Sequence, residues 1–78
     1  MPTVVRPGGR FRAGDWAVWT AGASRHVVRI LEDVGPVGRR GVRFYRFREQ
    51  VADDEFVESE MSDDYLEPAR PDEIPAAG

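Results

Sequence analysis

The sequence predicts a small all-β protein, a barrel of about five short strands with one short helical turn before the last. Three features carry that expectation. Short segments rich in aromatic and β-branched residues recur along the chain, and glycine- and proline-bearing stretches separate them. No segment holds about three turns of apolar residues at helical spacing. A chain of 78 residues makes one domain. At this size folding buries only roughly 60% of the surface the unfolded chain exposes, so the core must be compact. There is no cysteine. Disulfides, thiolate zinc sites and cysteine nucleophiles are excluded together, and packing or self-association has to hold the fold.

The elements follow in order. Residues 1–10, MPTVVRPGGR, hold two prolines and a Gly-Gly pair and read as a flexible arm before a domain spanning 11–69. Gly14-Asp15 marks a turn into a first strand, Trp16-Ala17-Val18-Trp19, and AGAS (21–24) is a hairpin loop. RHVVRILED (25–33) is the second strand. Alternation puts Val28 and Ile30 on one face and Val27, Arg29 and Leu31 on the other. VGPVGRRG (34–41) reads as a flexible loop. GVRFYRFR (41–48) is the third strand. Its alternation is imperfect, since Val42 and Phe44 share one phase and Tyr45 and Phe47 the other, and a bulge near Phe44 would reconcile them. EQVADDE (49–55) is an acidic hairpin connection and FVES (56–59) a fourth strand. Ser62-Asp63-Asp64 starts one helical turn with Ser62 as cap. Tyr65 and Leu66 then return apolar side chains, and Pro68 ends the ladder. Residues 70–78 read as a disordered tail.

The layout GDWAVW, HVVRILED, GVRFYRFR, EFVES, DDYLEP resembles an SH3-like barrel of the Tudor, KOW and CarD-like type, and is similar to small bacterial domains of unknown function. Gly14, Asp15, Val28, Ile30, Tyr45, Phe47, Leu66 and Pro68 fall on that pattern, which covers about residues 11–69. Ala17 stands where valine is usual and Phe47 replaces a valine. One change shrinks and the other enlarges, so the two compensate if they face each other in the core.

The formal net charge of −3 hides an asymmetry. Residues 1–48 carry ten arginines against Asp15, Glu32 and Asp33, a balance of +7, and residues 49–78 carry eleven carboxylates against Arg70, a balance of −10. Either the halves pair with each other, or one patch recruits an oppositely charged partner. All eleven basic residues are arginine. Together with abundant Ala, Gly, Val and Pro this points to a GC-rich genome, so codon bias accounts for part of the arginine excess.

A single histidine, His26, and the lack of a GxSxG context exclude the common nucleophile triads. The carboxylate runs Asp53-Asp54-Glu55 and Asp63-Asp64 sit at turns, where water screens them from acid–base work. They also lack the spacing of an EF-hand. The glycine-rich loop GPVGRRG has no GxxxxGK[ST] motif and no following helix to cradle a phosphate. No enzyme activity, cofactor or metal is therefore expected.

Two binding readings remain. In the first, the chain is a non-enzymatic module, a small accessory or adaptor protein, that docks on a protein partner through Trp16 or Trp19 and the loop arginines Arg39 and Arg40. Trp16 and Trp19 lie three apart on a strand and cannot share a face, so one of them should be exposed. In the second, Arg29, Arg43, Arg46 and Arg48 form a nucleic-acid face, with aromatics stacking on bases. A core this small needs most of Phe11, Trp16, Trp19, Ile30, Leu31, Phe44, Tyr45, Phe47, Phe56, Tyr65 and Leu66 inside, which argues against free stacking platforms. The acidic hairpin would then lie across from the third-strand arginines. A cytoplasmic monomer or weak homodimer, with no membrane association, is expected.

Overall fold

The computed structural model describes residues 9–75. Five strands form one open, wholly antiparallel sheet in the order β4-β3-β2-β1-β5. They are β1 (Trp16–Ala21), β2 (Ser24–Val37), β3 (Val42–Ala52), β4 (Glu55–Ser62) and β5 (Glu67–Pro68). Three-residue 3-10 turns at Asp63–Tyr65 and Pro71–Glu73 are the helical elements, and among the described residues no helix is long and apolar enough to cross a membrane.

The β1–β2 hairpin closes with a two-residue turn, since Ala21 pairs with Ser24. Its first turn residue, Gly22, has φ +60°, the left-handed backbone that such tight turns require. The β2–β3 hairpin is longer than the sequence reading allowed. The expected loop over 34–41 shrinks to a turn at 38–41, because Val34 to Val37 extend β2 and Val37 pairs with Val42. β3 likewise runs on through Ala52, leaving Asp53-Asp54 as the next turn. The Gln50 side chain caps that turn by donating to the carbonyls of Ala52 and Asp53, at 3.2 and 3.0 Å.

The register explains the imperfect alternation of the third strand. From Phe44 to Gln50, β3 pairs regularly with β4, and the irregularities facing this stretch lie in β2, between Ile30 and Glu32 and between Asp33 and Gly35. The bulge expected near Phe44 thus belongs to the neighbouring strand. β3 alternates cleanly. Tyr45 and Phe47 point into the core, while Phe44 shares its phase with Arg46 and Arg48.

The core covers one sheet face. Phe11, Ala17, Val28, Ile30, Tyr45, Phe47 and Leu66 are buried together, with Trp19 and Met61 packed at the margin. Phe11 meets Tyr45 edge-to-face at a centroid distance of 5.2 Å. Phe56 and Tyr65, expected inside, are instead 54% and 70% exposed. Phe56 falls on the opposite sheet face by alternation from the core-facing residues of β4, and Tyr65 ends the 3-10 turn. Ser62 caps that turn as expected, its hydroxyl accepting from the Asp64 amide at 3.2 Å.

Both ends of the described segment are held by side-chain contacts. Of the expected arm, residues 1–8 lie outside the described residues. Arg10 donates to the carbonyls of Asp63 and Leu66 at 2.9 and 2.5 Å. The tail expected to be disordered takes the form of a 3-10 turn at Pro71–Glu73, held by an Arg25–Glu73 ion pair at 2.7 Å. Residues 76–78 lie outside the described residues.

Gly9 is a point of close approach. A Cβ there would overlap the Tyr45 hydroxyl and the Arg43 side chain. The Tyr45 hydroxyl cannot yield easily, because the ring is fully buried and the hydroxyl accepts the Phe11 amide at 3.4 Å. Gly9→Ala should therefore destabilise the fold by about 1–3 kcal/mol through overpacking. Tyr45→Phe removes the obstructing oxygen, so G9A should cost less in a Y45F background. Urea unfolding of both single variants and the double variant measures this coupling; equal costs of G9A in the two backgrounds would refute it.

Candidate functional site

The sheet's second face carries a different set of side chains. Register places Trp16 across from Arg29, Arg29 across from Arg48, and Arg48 across from Glu58. Directly opposed residues share a face, so this row crosses four strands. In a neighbouring row Val18 lies across from Val27, and Gln50 across from Phe56. Trp16, Val27, Arg29, Arg48, Gln50 and Phe56 of the sheet, with Glu73 and Pro75 of the C-terminal segment, line a cleft of about 270 Å³.

Each of the two aromatic rings has a guanidinium over it. Arg29 lies 5.2 Å from the Trp16 ring centroid and Arg48 lies 5.6 Å from that of Phe56. Such contacts cover an exposed ring with a group that stays compatible with water.

Charge pairing distinguishes the arginines of the sheet. Arg25 holds Glu73 with Nε and Nη2 at 2.7 and 2.9 Å, and Glu67 at 2.8 Å. Arg43 holds both carboxylate oxygens of Asp33, at 2.7 and 2.8 Å. Arg46 pairs with Glu32, and Arg48 with Glu58 at 3.3 Å. Arg29 makes no ion pair among the described residues.

These contacts shift two carboxyls. Hydrogen bonds from Arg25, and then from the Arg70 amide, push Glu73 down to about 2. Burial alone would raise Asp33, but the Arg43 hydrogen bond, the amides of Gly9 and Gly35 and the Arg43 charge together hold it below its ordinary value.

The two tryptophans fall on opposite faces, and both are half-buried. Trp19 sits on the core side. Its ring stacks on His26 at 4.0 Å, and its Nε1 donates to Glu49 at 3.1 Å. The same carboxylate meets His26 Nδ1 at 2.9 Å. With its polar edge committed to Glu49 and one face to His26, Trp19 is the less available ring. Neither tryptophan is fully exposed, in contrast to the sequence expectation for one of them.

The sequence-predicted residues do not form one site. Arg39 and Arg40 are exposed at the β2–β3 turn, separate from the cleft lining. Arg29, Arg46 and Arg48 share the second face, whereas Arg43 shares its phase with Tyr45 and Phe47 and pairs with Asp33 beside Gly9. Phe56, Val27, Gln50 and Glu73 were missed as site residues. Register was the missing signal, because residues distant in sequence enter one row only once the pairing is known.

No protein-family model, curated protein or solved structure matches this chain. The chemistry of the site therefore rests on its own residues. Among the described residues no group of three or more histidine, aspartate or glutamate side chains could hold a metal ion. The cleft is lined by two cation-capped rings, Val27 and Pro75, the Gln50 amide and the Glu73 carboxylate.

The C-terminal clamp should be sensitive to acid. Glu73 and Asp33 are depressed below their unfolded values, so their contribution to stability is complete above the ordinary carboxyl range and is lost as pH falls through the folded values. For Glu73 the window runs from about 4.5 down to about 2. Carbon-detected NMR should place the Glu73 carboxyl midpoint near 2, and Glu73→Gln should make the acid limb of the unfolding curve shallower. A Glu73 midpoint near its ordinary value would show that the clamp does not form in solution.

Proposed function

We propose that this protein is a non-enzymatic binding module of the SH3-like barrel type, a small accessory or adaptor protein that docks on a protein partner through the second sheet face. The barrel reading is supported by a four-strand meander, a 3-10 turn before β5, and the return of β5 to β1. The residues carrying the resemblance also serve the fold: Gly14 and Asp15 bond to Ile30 at the entry to β1, and Val28, Ile30, Tyr45, Phe47 and Leu66 form most of the core.

The observation that carries the docking reading is the Trp16–Phe56 cleft. Its volume, about 270 Å³, suits one large side chain and falls short of the usual size for a drug-like ligand. Aromatic and arginine residues around a partly desolvated pocket are what dominate binding energy at protein interfaces. The nucleic-acid reading is weaker on the same facts. Phosphate binding draws on cations free to replace counterions. Here Arg43, Arg46 and Arg48 already hold carboxylates, and Glu58 and Glu73 stand beside the cleft.

A peptide array screened with the folded protein tests the reading. Peptides selected by the array should perturb Trp16, Val27 and Phe56 in NMR spectra. Trp16→Ala and Phe56→Ala should each weaken binding about tenfold or more, with the remaining spectrum unchanged because both residues lie off the core face. Saturable binding of RNA or DNA with a steep salt slope, lost on charge reversal at Arg43 and Arg46, would overturn the protein-docking reading in favour of a nucleic-acid face.

A further inference from the structure

Resting on that docking reading, we propose that the cleft recognises a carboxylate carried beside an apolar or aromatic side chain, on an acidic segment of a protein partner. Arg29 is the residue that receives the carboxylate.

The first argument is the pairing census of β2 and β3. These strands carry Arg25, Arg29, Arg43, Arg46 and Arg48, and among the described residues every one except Arg29 holds a carboxylate. Where a sheet supplies an acidic partner to each arginine but one, and that one lines a cleft, its partner is expected from outside. Arg29 is also pre-positioned. Its guanidinium rests over the Trp16 ring at 5.2 Å, so less side-chain freedom is lost when a ligand arrives.

The second argument is the same face's own precedent. Arg25 and Arg29 share a phase on β2. Arg25 grips Glu73 through two nitrogens at 2.7 and 2.9 Å, the fork geometry by which arginine selects carboxylates. Glu73 and Pro75 line the cleft without pairing with Arg29. A partner's acidic segment would repeat that grip four residues along the strand, with an apolar side chain against Val27, Trp16 and Phe56. Arg48 can assist, since its contact with Glu58 is long, 3.3 Å, and half exposed on both sides.

The charge balance favours a carboxylate over a phosphate. One uncommitted guanidinium matches one negative charge, and Glu58 and Glu73 nearby would repel a dianion. The apolar component of the ligand follows from the two rings and the valine floor.

The probes are N-acetyl-phenylalanine, which offers a carboxylate beside an aromatic ring, and its uncharged amide, titrated into the isotope-labelled full chain. The acid should shift the Trp16 indole and Arg29 Nε resonances with an affinity about two- to fivefold above that of the amide, a range set by a partly exposed ion pair. Arg29→Gln should bring the acid down to the level of the amide, and Arg29→Lys, which keeps the charge but loses the fork, should fall between. Unchanged resonances elsewhere verify that both variants stay folded. Equal binding of acid and amide at Trp16 would overturn the carboxylate inference while leaving the docking reading in place. If neither probe moves Trp16 or Phe56, and array peptides also leave them unmoved, the docking reading itself fails. A stronger response to inorganic phosphate or to a short oligonucleotide would replace the carboxylate by a phosphate ligand. Shifts of Trp16 and Arg29 on simple dilution of the protein would assign the cleft to a second copy of the chain and overturn the proposal of a distinct partner.

Discussion

A strand sends alternate side chains to opposite faces, and this chain has bulky apolar residues enough to cover only one of them. Tyr45, Phe47, Val28, Ile30, Leu66 and Phe11 all go to the same face. Everything else in the architecture follows from that allocation. The second face carries the fully buried Val18, opposed by Val27 across the β1–β2 pair, with Trp16 and Phe56 interleaved with arginines and glutamates. Its rings are separated by charges, so its apolar groups stay few and do not build a second core of comparable size. It remains compatible with water because guanidinium groups lie over the rings and carboxylates lie against the guanidiniums.

The opposed charges of the two halves of the sequence are paired in part, Arg48 with Glu58 and Arg25 with Glu67 and Glu73, while Arg43 and Arg46 pair within the first half. Antiparallel pairing of β3 with β4 sets Arg48 opposite Glu58 and Arg46 opposite Glu60, and the β2–β3 hairpin brings Glu32 to Arg46 and Asp33 to Arg43. The C-terminal segment contributes Glu73 to Arg25. Exposed pairs of this kind add little stability individually, with a typical range of about 0–1 kcal/mol. Their greater effect is on register. A slip of one residue would move Arg46 and Arg48 to the core side and Tyr45 out of it, so apolar burial and charge pairing enforce the same alignment.

Much of this was legible in the sequence, and the failures have identifiable causes. The strand starts at Trp16, Ser24, Val42 and Glu55 were readable within a residue, because Gly14, Gly22, Gly38, Gly41 and Asp53-Asp54 punctuate the chain. The capped turn at Ser62 was readable from side-chain chemistry alone. Hairpin length was not. Val34-Gly35-Pro36-Val37 has loop composition, yet it continues β2 because the facing residues of β3 supply a ladder and the irregularity at Gly35 absorbs the misfit. The misplaced Phe56 has the same origin: hydrophobicity says that a phenylalanine should be buried, but only the β3–β4 register says on which face it falls. Arg39 and Arg40 read as contact residues because they are two arginines in a glycine-rich loop; the fold leaves them exposed at a four-residue turn, outside the lining of the cleft.

The cleft acquires its character from how its charges were assigned. In sequence Arg29, Arg43, Arg46 and Arg48 look equivalent, a basic series alternating with aromatics. The fold makes them unequal, because three are neutralised by neighbours that are distant in sequence or across a hairpin, and the fourth is left over an indole ring. A guanidinium already resting on a ring presents its edge to a carboxylate while its face stays on the aromatic, so ligand binding can add an interaction without displacing one. The second face is stable without a partner for the same reason. A surface built this way can exchange between water and a protein ligand without unfolding any part of the core beneath it. This is the physical requirement for a small domain whose stability has little to spare.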